Sequence, residues 1–106
     1  MFYKGDILYV DFGNRIGSEQ EGIRPCIIVS NNVGNRHSNT ITVCPITSAQ
    51  KKFLPTHIEI YLDKKSTILC EQIVTIDKQR ILRKVKSSNK YILNRLDKAL
   101  KITLGL

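Results

Sequence analysis

Hydrophobic and polar residues alternate with a period near two through most of the chain, and the spacing changes to a helical one only near the C-terminal end. Asp6 to Phe12 reads as a first strand, with Leu8, Val10 and Phe12 set against Asp6, Tyr9 and Asp11. Cys26 to Val29 is apolar throughout, which predicts a second strand covered on both faces. Ser30 to Asn35 is a cluster of turn formers and predicts a reversal. A third strand is expected from Thr40 to Cys44, stopping at Pro45. The fourth has the cleanest alternation: Thr56, Ile58, Ile60 and Leu62 share one face, and His57, Glu59 and Tyr61 the other.

After a turn at Asp63 to Ser66, Thr67 to Ile76 is β-branched and apolar except for Glu71 and Gln72. As one strand, this run points two adjacent polar residues to opposite faces, so at least one of them meets water or a specific partner. Arg80 to Val85 reads as a short last strand, and Ser87, Ser88 and Asn89 offer N-caps. From Lys90 onward, Ile92, Leu93, Leu96, Ala99, Leu100 and Thr103 keep helical spacing, with Lys90, Asp97, Lys98 and Lys101 largely opposite. Short strands, tight turns and one terminal amphipathic helix predict an α+β, mainly β domain over residues 1–106, built as a strongly bent sheet or barrel.

The stretch Gly17-Ser18-Glu19-Gln20-Glu21-Gly22-Ile23-Arg24-Pro25 fits neither period. Its glycines permit an arch, and Pro25 restricts Arg24 to extended backbone, fixing where the guanidinium leaves the chain. On its own chemistry it is an ordinary strand connection with a surface arginine.

Charge changes the picture more than composition does. At 106 residues, 42% hydrophobic and 25% charged, the chain has the profile of one globular domain. Seventeen Lys and Arg against nine Asp and Glu give +8, and residues 51–106 hold thirteen of the basic and five of the acidic side chains. The excess lies in the second half and suits a polyanion such as nucleic acid, or an acidic protein competing for the same face. A solvated basic helix is the plainer alternative. The apolar runs are too broken for a transmembrane span and the N-terminus lacks the form of a signal peptide, so no membrane partner and a cytoplasmic location are expected. Cys26, Cys44 and Cys70 lie inside apolar runs without zinc-site spacing and read as buried thiols.

Catalytic inventories are nearly empty. There is no phosphate-binding glycine loop, no GxSxG elbow and no paired-carboxylate metal signature, and neither His37 nor His57 has a second ligand at metal spacing. An enzyme with this sequence is expected to need no metal or nucleotide cofactor. Arginine, hydroxyls, carboxylates and amides remain, a set suited to chemistry at phosphate. Arg24 begins one strand and Thr47 ends another, so adjacent antiparallel strands can set them side by side.

GSEQEGIRP (17–25), SNN (30–32), PITS (45–48), LPTH (54–57) and CEQIVTIDKQR (70–80), in this order, resemble the MazF/PemK family of toxin endoribonucleases over nearly the whole chain. The resemblance implies an SH3-like barrel and a homodimer that cleaves single-stranded RNA at short motifs without a metal. The implied reaction is attack of the RNA's own 2′-hydroxyl on the adjacent phosphate, leaving 2′,3′-cyclic phosphate and 5′-hydroxyl ends. It assigns catalysis to Arg24 and Thr47, and places Glu19, Ser48, Leu54, Pro55, His57, Glu71 and Gln72 near bound RNA. It also implies a cognate antitoxin with an acidic, disordered tail. Gln and Glu suit base edges, and a proline face suits stacking, although Glu71 and Gln72 also fit as structural hydrogen bonders. Two rival readings are a toxin of similar barrel that binds DNA gyrase, and a non-catalytic RNA-binding domain. The first does not require Arg24 and Thr47. The second lacks clustered aromatics for stacking bases.

Overall fold

Seven strands and two helices make up the computed structural model, which describes residues 1–13 and 22–106. The strands are β1 (Asp6–Asp11), β2 (Ile23–Ile28), β3 (Thr40–Thr47), β4 (His57–Tyr61), β5 (Lys65–Leu69), β6 (Val74–Asp77) and β7 (Ile81–Ser87); the helices are α1 (Asn32–His37) and α2 (Lys90–Leu104). All pairings are antiparallel, in the order β4-β5-β3-β2-β1-β7, with β6 on β3. Glu19 and the rest of the Gly17 to Glu21 segment lie outside the described residues.

The mainly β class and the terminal helix are as the pattern predicts. Of the bent sheet or barrel that the pattern allows, the structure has the open sheet. The barrel implied by the resemblance is not closed: no ladder joins β4 to β7 among the described residues. The opening is covered by α2, whose Ile92, Leu96 and Ala99 enter one core with Ile7, Ile27, Ile46, Ile58, Ile60 and Ile68. Apolar packing there substitutes for the strand pairing that a closed barrel needs. A second core on the opposite face of β1, β2 and β3 gathers Leu8, Val10, Cys26, Ile28, Ile41, Val43 and Ile76. Two covered faces explain the unbroken apolar run of β2. Among the described residues, no helix is long and apolar enough to cross a membrane.

Four local expectations change. The Asn-rich turn is the helix α1, N-capped by Asn31, whose side chain accepts from Gly34 N at 2.8 Å. β3 runs through Pro45 to Thr47. Thr42 N points to Ser30 Oγ at 3.0 Å on the β2 side, so alternation turns the Pro45 nitrogen to the other edge. There β6 pairs with Thr40–Val43 and β5 with Ile46–Thr47, and proline falls in the gap where no amide is required. The run from Thr67 to Ile76 is two strands split at Cys70–Ile73, so Glu71 and Gln72 sit on a turn rather than on opposite faces of a strand. β7 begins after a single 3-10 turn over Lys78–Arg80 and extends to Ser87.

Asn89 caps α2, accepting from Ile92 N at 3.0 Å. Its approach to the sheet depends on Gly5: φ is +90°, and a Cβ there lies 2.6 Å from Leu93 Cδ2.

Candidate active site

Arg24 and Thr47 come together. β2 and β3 pair from Ile28–Val43 to Cys26–Pro45, and beyond the last pair the two strands run on to Arg24 and Thr47. Both side chains are half-buried and line one hollow of about 240 Å³, with Tyr9, Pro25, Ser48, Leu62, Asp63 and Lys64 also at its walls. Pro25 lies opposite Tyr9 on β1, which holds the backbone beside Arg24 in the sheet. Arg24 has no acidic partner among the described residues. The Thr47 hydroxyl accepts from Ala49 N at 3.1 Å, which orients it and leaves its own proton to donate.

A second group stands further along the same face. Thr47 pairs with Thr67 on β5, and Thr67 with Glu59 on β4, so the three share a face that His57, two residues before Glu59, also occupies. The His57 side chain is only 9% exposed. Its Nδ1 lies 2.8 Å from Lys52 O and its Nε2 3.0 Å from Glu71 Oε2. Both partners are acceptors, so both contacts are satisfied only with a proton on each ring nitrogen. Thr56 Oγ1 donates to Glu71 Oε1 at 3.0 Å. Burial pushes the Glu71 carboxyl up, but hydrogen bonds from His57, its own backbone and Thr56 outweigh this and hold it below its ordinary value. His57 thus ties the Lys52 loop to the β5–β6 turn rather than offering a free ring nitrogen.

Leu54 and Pro55 are exposed on that loop, and Leu54 O accepts from His57 N at 3.0 Å. Gln72 is exposed on the turn, its amide bonded to Leu69 O at 3.1 Å. The site residues named from the sequence that are described therefore fall into two groups, Arg24–Thr47–Ser48 in the hollow and Leu54–Pro55–His57–Glu71–Gln72 around the His57–Glu71 contact. Tyr9, Leu62, Asp63 and Lys64 were not anticipated; only the strand register and the β4–β5 turn bring them to the hollow. The cysteines are buried and free. Burial pushes the Cys26 thiol up to about 12 against the opposing charge of Arg24, and a hydrogen bond to Cys70 together with burial raises that of Cys44. Cys26 and Cys44 stay neutral thiols.

An arginine with no acid partner among the described residues and an oriented hydroxyl line one open hollow in a chain of charge +8, a combination suited to a phosphate-bearing ligand. Residues 3–104 match the family described as PemK-like, MazF-like toxin of type II toxin-antitoxin system. The chain is 42% identical to Endoribonuclease EndoA of Bacillus subtilis (strain 168) over 109 residues, covering 97% of this chain and 94% of that protein. It is also 42% identical to Endoribonuclease MazF of Staphylococcus epidermidis over 112 residues, covering 100% and 93%. The fold is similar to a mycobacterial endoribonuclease solved in complex with its cognate antitoxin, with TM-score 0.85, 23% identity and coverage of 100% and 97%. Another match is MazF from Deinococcus radiodurans, with TM-score 0.84, 22% identity and coverage of 98% and 96%. The protein belongs to the PemK/MazF family of toxins.

Proposed function

We propose that this protein is the toxin of a type II toxin–antitoxin pair, an endoribonuclease that cuts single-stranded RNA at short sequence motifs and thereby stops translation and growth. The observation that carries the reading is the convergence of Arg24 and Thr47 on one hollow, in a chain 42% identical to two proteins named endoribonucleases. The 2′-oxygen attacks the adjacent phosphorus, the O2′–P bond forms and the P–O5′ bond breaks. The 2′-hydroxyl loses its proton and the 5′-oxygen gains one, so the ends are a 2′,3′-cyclic phosphate and a 5′-hydroxyl. Negative charge accumulates on the non-bridging oxygens. Arg24 stabilises it with paired N–H donors, and the free Thr47 proton adds a hydrogen bond. A guanidinium with a pKa of about 12.5 or more is a poor proton acceptor, so Arg24 serves as charge stabiliser and not as base. Neither role calls for a bound metal.

Ser48 lines the same hollow, while Leu54, Pro55, Glu71 and Gln72, grouped around His57, read bases. By family resemblance Glu19 is a further RNA-binding residue. The active form is a homodimer, acting in the cytoplasm. Its antagonist is an antitoxin whose acidic, disordered tail competes for the basic face, a reading supported by the similar toxin solved with its cognate antitoxin.

The test is a long RNA incubated with the protein in EDTA, its new ends mapped, then repeated with 2′-deoxy substitution at the cut. Cuts that persist in EDTA and vanish on substitution are expected. Complete inertness toward RNA would refute the reading and leave a binding module.

A further inference from the structure

Most of the positive charge lies outside the hollow, and one part of it is arranged by the backbone. β7 joins β1 with two register shifts: Tyr9 lies opposite Arg83 and Val10 opposite Ile81, while Leu8 lies opposite Lys84 and Ile7 opposite Lys86. Leu82 and Val85 are the extra residues. In a regular strand Arg83 and Lys86, three apart, point to opposite faces. The bulge at Val85 turns Lys86 over, so that Arg83 and Lys86 stand opposite Tyr9 and Ile7, which share a face of β1.

That face opens on a second hollow of about 250 Å³, lined by Tyr9, Leu62, Asp63, Arg83, Val85 and Lys86. Tyr9, Leu62 and Asp63 also line the Arg24–Thr47 hollow, so the two run together as one trough. The Arg83 guanidinium lies 4.7 Å from the Tyr9 ring centre. Stacking fixes its plane and leaves its N–H edge to hydrogen-bond elsewhere. Lys86 Nζ donates to Tyr61 O at 3.1 Å and keeps two further hydrogens. Among the described residues neither cation is paired with a carboxylate, whereas Lys84 between them bridges to the buried Asp6 at 3.4 Å. Asp63 is the acid of the trough; Arg83, Lys86 and the neighbouring Lys64 outnumber it.

We propose that Arg83 and Lys86 form a phosphate-binding subsite that takes the RNA backbone next to the cleaved step. The inference rests on the endoribonuclease reading above. A strand whose reacting phosphate lies at Arg24 and Thr47 must leave that hollow, and the adjoining one offers two cations with no carboxylate partner among the described residues. Continuity with the reacting centre favours RNA over an acidic polypeptide as the occupant.

The test measures binding by fluorescence anisotropy between 50 and 200 mM salt. The probe is a labelled single-stranded RNA held uncut by 2′-deoxy substitution at the mapped step, or a mixed-sequence RNA if no cut is found. R83A/K86A is compared with wild type and with K98A/K101A, which removes the same charge from exposed helix positions. Each phosphate contact on a single strand contributes about 0.7 to the log–log salt slope, so losing two makes the slope shallower by roughly 1.4. The ratio of wild-type to variant affinity then changes about sevenfold across this range, while K98A/K101A keeps the wild-type slope. R83Q/K86Q, which retains the side-chain stems, takes the place of the alanine pair if thermal melting shows that pair unfolded. An unaltered slope in the β7 variant overturns the proposal. So does an equal loss in the helix control, which makes the effect one of overall field. Weakened binding of polyglutamate with RNA binding intact also overturns it, in favour of a polypeptide site. If wild type binds with the expected slopes but produces no cuts, the nuclease reading fails alone and the phosphate subsite stands.

Discussion

Replacing His57 by alanine removes a side chain that is nearly buried and bonded at both ring nitrogens, to Lys52 O at 2.8 Å and Glu71 Oε2 at 3.0 Å. The bond to the carbonyl is worth about 1 kcal/mol. The Glu71 side chain is 37% exposed, so solvent screening holds the charged contact to about 0.5–1 kcal/mol. Loss of the packed ring adds about 1 kcal/mol. His57→Ala should therefore cost about 2.5–3 kcal/mol, measured by urea denaturation at pH 7, with a Tm lowered by roughly 10–20 °C. The pH dependence follows from Glu71, whose carboxyl sits below its ordinary value of 4.5 in the folded state. A depressed folded value gives stability that is fully present above about 4.5 and is lost as pH falls through the lower folded value. The gap between wild type and His57→Ala should accordingly narrow in acid. A gap below about 0.5 kcal/mol at neutral pH, or one that acid leaves intact, refutes the clamp assigned to His57.

Arg24→Ala should lower RNA cleavage by about 10²–10³-fold with RNA binding largely retained, and Arg24→Lys should recover little because a point charge lacks the planar fork. Single-turnover cleavage and anisotropy on the same variants separate the two effects. Thr47→Ser should keep most activity and Thr47→Val lose about 10²-fold, since only the hydroxyl is needed; equal rates would remove Thr47 from the chemistry. Gly5→Ala should destabilise the fold by about 1–3 kcal/mol in chemical denaturation, because the new Cβ meets Leu93 at 2.6 Å on a backbone of φ +90°. Added salt should weaken binding of RNA and of an acidic antitoxin tail together; affinities indifferent to salt would remove the electrostatic part of the model.

Where local chemistry decides, the sequence was legible. Ile58 and Ile60 against Glu59 and Tyr61 marked β4, and Asn89 before Ile92, Leu96 and Ala99 marked the start and buried face of α2. Pro45 misled because the cost of a missing amide depends on the edge it faces, and the exchange of β6 for β5 along β3 is a tertiary fact. The break at Cys70–Ile73 lacks glycine and proline, and its only trace was the adjacency of Glu71 and Gln72. Arg24 and Thr47 were legible as residue types at strand ends, and the strand pairing supplied their convergence. Arg83 and Lys86 were visible only as part of a basic half, because the bulges that bring them together arise in the pairing of β7 with β1.

The short ladder between β3 and β5 has a mechanical consequence. Only Ile46–Ile68 and Thr47–Thr67 join the β4–β5 hairpin to the rest of the sheet, and the far edge of that hairpin meets no strand among the described residues. The hairpin turn supplies Leu62, Asp63 and Lys64, one bank of the trough, while Arg24, Tyr9 and Arg83 on β2, β1 and β7 form the other. Buried Ile58, Ile60 and Ile68 and the Lys86 Nζ–Tyr61 O bond, rather than ladder pairs, hold this bank against the other. Thr47 lies in that two-pair ladder, so the seating of the hairpin and the placement of the threonine hydroxyl are one coordinate, while Arg24 takes its place from the pairing of β2 with β1.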